Sequence, residues 1–131
     1  MLTDTEPVLR WNTTGITVAG INGSSGKTNI RLYFPFGIIM DYGNNLYIAD
    51  YGNHRVQKYL FGSSFGETIA GNGTNSSSPY HLSNPSHIII DANGDYYITD
   101  RTNHRIQFWR HGEIFGTTLA GTGKKTIDVA F

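Results

Sequence analysis

Residues 35–71 recur as residues 85–121 without a gap, every matched position lying fifty residues further on. PFGIIMD at Pro35–Asp41 returns as PSHIIID at Pro85–Asp91, and LYIAD at Leu46–Asp50 as YYITD at Tyr96–Asp100. RVQKY at Arg55–Tyr59 returns as RIQFW at Arg105–Trp109, and GETIAG at Gly66–Gly71 as GTTLAG at Gly116–Gly121. Such a chain folds as copies of one small unit, and each copy finds its core by stacking on the next. A partial copy comes first. GITVAG at Gly15–Gly20 matches GETIAG, VLRW at Val8–Trp11 has the character of RIQFW, and Leu2-Thr3-Asp4 echoes Ile98-Thr99-Asp100. The sequence thus divides into a partial unit (1–20), two full units (35–71 and 85–121) and a tail (122–131).

Each full unit reads as four short strands, at 37–41, 46–50, 55–59 and 67–70, and again at 87–91, 96–100, 105–109 and 117–120. DYGNN and DANGD join the first two strands, and their Asn, Asp and Gly suit tight hairpins. The first strand is almost wholly apolar, which predicts cover on both faces. With 13% aromatic residues and 16 glycines, the composition agrees with an all-β chain of tight turns. Four antiparallel strands in a unit of about 40–50 residues is the pattern of a β-propeller blade.

The order P-x-G-I-x-x-D, L-Y-I-A-D, N-H-R-[VI]-Q resembles the NHL-repeat β-propellers, with Asn53-His54-Arg55 and Asn103-His104-Arg105 standing for the motif that names the family. The resemblance runs from Leu9 to Gly123 and departs at one place. Pro35-Phe36-Gly37 opens one unit, but Pro85-Ser86-His87 opens the other.

DYGNHRVQ, from Asp50 to Gln57, and DRTNHRIQ, from Asp100 to Gln107, each hold an Asp, a His and an Arg that suggest an active site. Their doubling argues otherwise, because catalysis needs one asymmetric constellation. Asp50, Asn53, His54 and Arg55, with Asp100, Asn103, His104 and Arg105, therefore read as a structural corner in which polar groups satisfy one another. The resemblance implies the same.

Other motifs carry less. Asp91-Ala92-Asn93-Gly94-Asp95 opens like a calcium loop, but the twelfth position is Thr102 rather than Glu, so it reads as a hairpin turn. Gly71-Asn72-Gly73 and Gly121-Thr122-Gly123 lack the Gly-Lys-Ser/Thr context of a phosphate loop. His111 reads as a surface residue. Four Asn-x-Ser/Thr sequons, at Asn12, Asn22, Asn72 and Asn75, leave an extracellular parent open. The formal net charge is zero and no Lys/Arg run occurs, which argues against nucleic acid. No stretch has the length and apolarity of a membrane helix.

In a propeller the loops from the fourth strand to the next first strand share a face with the loops between second and third strands. The resemblance implies that this face, around the channel mouth, binds ligands. Here it would carry Tyr33, Phe36, Tyr51, Tyr80, His81, His87 and Arg101, suited to a protein, peptide or glycan-like ligand. The expected function is a non-catalytic scaffold with no cofactor. The alternative is part of an NHL-like lyase or hydrolase with a channel metal, His87 being the candidate ligand. Closed propellers need about 4–8 blades. Two blades would close by oligomerisation, a three-chain ring being simplest, or within a longer chain.

Overall fold

A computed structural model describes residues 12–121 of the chain. Eight strands form two antiparallel four-stranded sheets, each in sequential order. The first blade holds β1 (Pro35–Met40), β2 (Leu46–Asp50), β3 (Arg55–Tyr59) and β4 (Gly66–Gly71). The second holds β5 (Pro85–Ile90), β6 (Tyr96–Asp100), β7 (Arg105–Trp109) and β8 (Thr117–Ala120). Six of these strands keep the expected position to within a residue or lie where the repeat puts them; β1 and β5 begin two residues early, because Pro35 and Pro85 already pair with Asp50 and Asp100. The two sheets are blades that do not close a ring.

The hairpin between β1 and β2 is fixed by an aspartate. Asp41 Oδ1 accepts the N–H groups of Gly43 and Asn45, and Oδ2 accepts Tyr47 Oη–H at 3.0 Å. Asp91 repeats this with the N–H groups of Asn93 and Asp95 and with Tyr97. DANGD is therefore a hairpin turn whose first carboxylate is already occupied.

Directly paired residues share a sheet face and successive residues alternate. One face of the first blade carries Ile39, Tyr47, Val56 and Ala70. It packs on the face of the second blade that carries Ile88, Ile98, Tyr96 and Trp109. The core of the molecule is this seam, closed at one end by Leu82. The sheets meet along β1, β2 and β5, so the first strands mark the inner edge.

Each blade's other face lacks a blade against it among the described residues. The expectation that first strands are covered on both faces therefore fails. Ile38 is 67% exposed and Met40 57% in β1, and Ile89 is 60% exposed in β5. The strand expected at Gly15–Gly20 does not form either, since no described strand pairs with its backbone. Ile16–Gly20 instead lies along the open face of the first blade, where with Ile38, Met40, Leu46 and Tyr59 it lines a groove of about 750 Å³. The expected segments at Leu2–Asp4 and Val8–Trp11 and the tail from residue 122 lie outside the described residues.

Trp109 fills the outer half of the seam at 1% exposure, with its Nε1–H donated to Glu113 O at 2.8 Å. Trp109→Ala is expected to cost about 3–5 kcal/mol in urea unfolding. Leu119→Ala, at a site more than half exposed, is expected to cost well under half of that.

Candidate functional site

A left turn in the chain after β2 creates the site's foundation. Tyr51–Asn53 makes one 3-10 turn, and His54 takes a left-handed backbone with φ of 53°. That brings Asp50, Asn53 and Arg55 together under the preceding loop. Asp50 Oδ2 accepts Arg55 Nε–H and Asn53 Nδ2–H, both at 2.8 Å, and Oδ1 accepts the Tyr33 N–H. Arg55 spends its remaining donors on Lys27 O, Thr28 O and Arg31 O, and Asn53 on Gly26 O. The second blade repeats every bond. Asp100 accepts from Arg105, Asn103 and Ser83, Arg105 donates to Ser77 O, Ser78 O and His81 O, and Asn103 donates to Ser76 O. Both ion pairs are buried, with the carboxylates at 0% exposure.

His54 and His104 are not part of this network. His54 Nδ1 accepts the Asn84 N–H at 3.1 Å, and Asn84 Nδ2–H donates to Tyr51 O. Asn84 Oδ1 in turn accepts Thr102 Oγ1–H. The histidine is thus a latch from one blade to the loop that enters the next, with Asn84 as its catch. His104, its equivalent on the second blade, is exposed and makes no side-chain hydrogen bond among the described residues. Asn84 escaped the sequence reading because its repeat equivalent is Phe34; the residue before Pro85 was the available signal.

The residues expected together on the loop face divide. Phe36, Tyr51 and Arg101 come together near the inner edge. The Phe36 and Tyr51 rings lie 5.1 Å apart, and Arg101 stands over Tyr51 with Nη1–H donated to its hydroxyl at 2.8 Å. Tyr51 and Arg101 are the same repeat position in successive blades, so this contact bridges the seam. Tyr33 lies beside them, 4.8 Å from the Phe34 ring and pressed on Gly52, where a Cβ would stand 2.3 Å from its ring.

Tyr80 and His81 lie elsewhere, toward the outer edge. Tyr80 faces Phe115 at 6.2 Å. His81 pins its own loop between Ser78 and Asn72. Ser, His and Asn in a row suggest a nucleophile array, but the hydrogen bonds run the wrong way. Asn72 Oδ1 holds the Thr74 N–H, so its Nδ2–H donates to His81 Nε2. The ring proton then sits on Nδ1 and is donated to Ser78, which leaves no base for the serine. His87 is exposed at the inner edge on the open side of the second blade, with Nδ1 3.1 Å from Ser86 Oγ. Among the described residues no three His, Asp or Glu side chains gather as a metal site. His111, expected to be a plain surface residue, is exposed but bonded to Tyr96 Oη at 3.0 Å.

Each corner, with its Asn-His-Arg run, lies within a span that a known repeat family matches. The chain carries NHL repeats. The NHL repeat family matches residues 32–59 and 82–108, each span running from the end of the entering loop through the third strand of a blade. No curated protein sequence matches the chain. In both NHL repeats the motif's Asn and Arg serve their own blade, and in the first the His serves the neighbour.

Burial first, and then the Lys27 charge, lower the His54 imidazole below its usual range, against opposing pulls from Asp100 and Asp50. Its latch bond needs the neutral ring. Above pH ~6.5 the latch is intact; below it the unfolded chain takes up a proton that folded His54 resists, so stability falls as pH drops toward the lowered value. The thermal midpoint is expected to fall between pH ~7.5 and ~5.5 more in the wild type than in His54→Ala. Equal falls would show that the latch does not titrate. Asp50→Asn leaves Arg55 buried without its counter-charge and is expected to cost about 3–5 kcal/mol in urea unfolding.

Proposed function

We propose that the protein is a non-catalytic binding scaffold of the NHL type, taking a protein, peptide or glycan-like ligand on its loop face. The observation that carries this reading is the Phe36–Tyr51–Arg101 shelf. Two aromatic rings and a guanidinium are assembled from both blades, Phe36 at the start of β1 and Tyr51 and Arg101 on loops tied down by the buried corners. Phe36 is 62% exposed and Arg101 is exposed, so the shelf presents apolar area beside a charge that has donors to spare. Aromatic rings suit the apolar faces of sugars and peptide side chains, and a guanidinium suits carboxylates and carbonyls. Function sits on loops held by a rigid scaffold in many folds.

Glycan and peptide arrays probed with wild-type protein and with Arg101→Ala test the reading. A ligand bound through the shelf is expected to lose about tenfold or more in affinity in the variant, or about 1.4 kcal/mol. Binding that is unchanged by Arg101→Ala and by Phe36→Ala would move the site away from the shelf.

A further inference from the structure

The two blades approach closely at the inner edge because of one glycine. Gly37, in β1, faces the backbone of β5. A Cβ on it would stand 2.5 Å from Ser86 O and 3.0 Å from His87 Cα. Both are backbone atoms, so no side-chain rotation relieves the clash. The seam as it stands requires glycine at this position.

The equivalent residue of the second blade, fifty positions on, is His87. It pairs with Thr99, which pairs with Ile106, so it belongs to the open face and not to the seam. That face otherwise repeats the docked face of the first blade. Ile89, Tyr97, Ile106 and Ala120 stand where Ile39, Tyr47, Val56 and Ala70 stand. Phe108 and Thr117 replace Lys58 and Glu67, which makes it more apolar still. The open face of the first blade likewise carries Ile38, Ile48, Gln57 and Tyr59 against Ile88, Ile98, Gln107 and Trp109 of the seam. By these faces alone, a second copy would dock head to tail. The imidazole-bearing carbon at 87 forbids it at the observed spacing.

We propose that His87 is a stop for blade docking. The open face of the second blade accepts no NHL blade at the spacing of the seam. The open face of the first blade accepts one whose inner strand opens Pro-x-Gly. The unmodified chain is therefore blocked from ring closure with its own copies by the Cβ of one residue. Ile16–Gly20 lies in the acceptor groove where the incoming blade's fourth strand would come. Its sequence, GITVAG from Gly15, so matches GTTLAG from Gly116 that either segment can fill the place.

Light scattering across a concentration series tests this on the whole chain, reading the association that Ile38→Asp abolishes. His87→Gly is expected to raise the mass with concentration, and Ile38→Asp added to it is expected to restore the single-chain mass. His87→Ala removes the imidazole but keeps the Cβ, and is expected, like the wild type, to show no such association. Wild-type or His87→Ala association as strong as that of His87→Gly, or none in a folded His87→Gly, overturns the proposal. A companion variant tests the steric premise should His87→Gly fail to fold. Gly37→Ala is expected to lower the urea midpoint and speed exchange of the Asn84 amide, and no change in either overturns the proposal as well.

Discussion

A buried carboxylate–guanidinium pair holds each blade's entering loop in place, and the rest of the molecule depends on it. Loops such as Ile21–Phe34 and Asn72–Asn84 are rich in Gly, Ser, Thr and Asn and have little apolar area to bury. Their carbonyls would face a desolvated interior without partners. Arg55 and Arg105 supply those partners as fixed forks, and Asp50 and Asp100 neutralise the forks while accepting a loop N–H. The ion pair by itself is weak grounds for stability, since desolvation offsets most of its attraction. Its value lies in ordering a polar loop that hydrophobic packing cannot order. The Phe36–Tyr51–Arg101 shelf inherits this rigidity: Tyr51 follows Asp50 directly, and Arg101 follows Asp100.

The sequence made the corner legible as a structural device, because a trio that appears twice at the same spacing belongs to the repeat rather than to a reaction. It did not show that the trio divides. Asp50 and Arg55 act within a blade, and His54 acts across the seam. The distinction depends on backbone direction: φ of 53° at His54 turns the imidazole away from its two neighbours in sequence. Non-glycine residues pay on the order of 1–3 kcal/mol for such a conformation. The cap to Tyr51 O and the latch to Asn84 N–H help to hold it there. Asn84 itself was illegible because a latch joins unlike partners, and internal repetition reveals only what is alike.

Strand positions were legible for the same reason that the corner was, since each is bracketed by turn residues and repeated. Burial was not. An apolar inner strand reads as covered on both faces, and Ile38 and Ile89 have the same sequence character as the buried Ile88. Which of them is covered depends on the count and order of blades, a property of the assembly and not of any strand. The residues expected on the loop face do not gather in one place. Seven residues on two kinds of loop were expected together; the inner edge gathers Phe36, Tyr51 and Arg101, while Tyr80 and His81 go to the rim because their loop folds back on β8's approach at Gly116.

Repeats that look interchangeable can still differ in what they permit. The seam needs a small residue where two inner strands cross, and the corner needs nothing of the kind. A substitution such as glycine to histidine therefore leaves a blade intact while changing what can sit beside it. In the first blade the inner edge is closed by contact with β5. In the second it presents an imidazole held by Ser86, next to a sheet face that is more apolar than its counterpart. Blade folding and blade stacking are thus set by different residues. The Asp–Arg corner governs the first and position 37 or 87 governs the second, so the number of blades that stack can change without altering how each one folds.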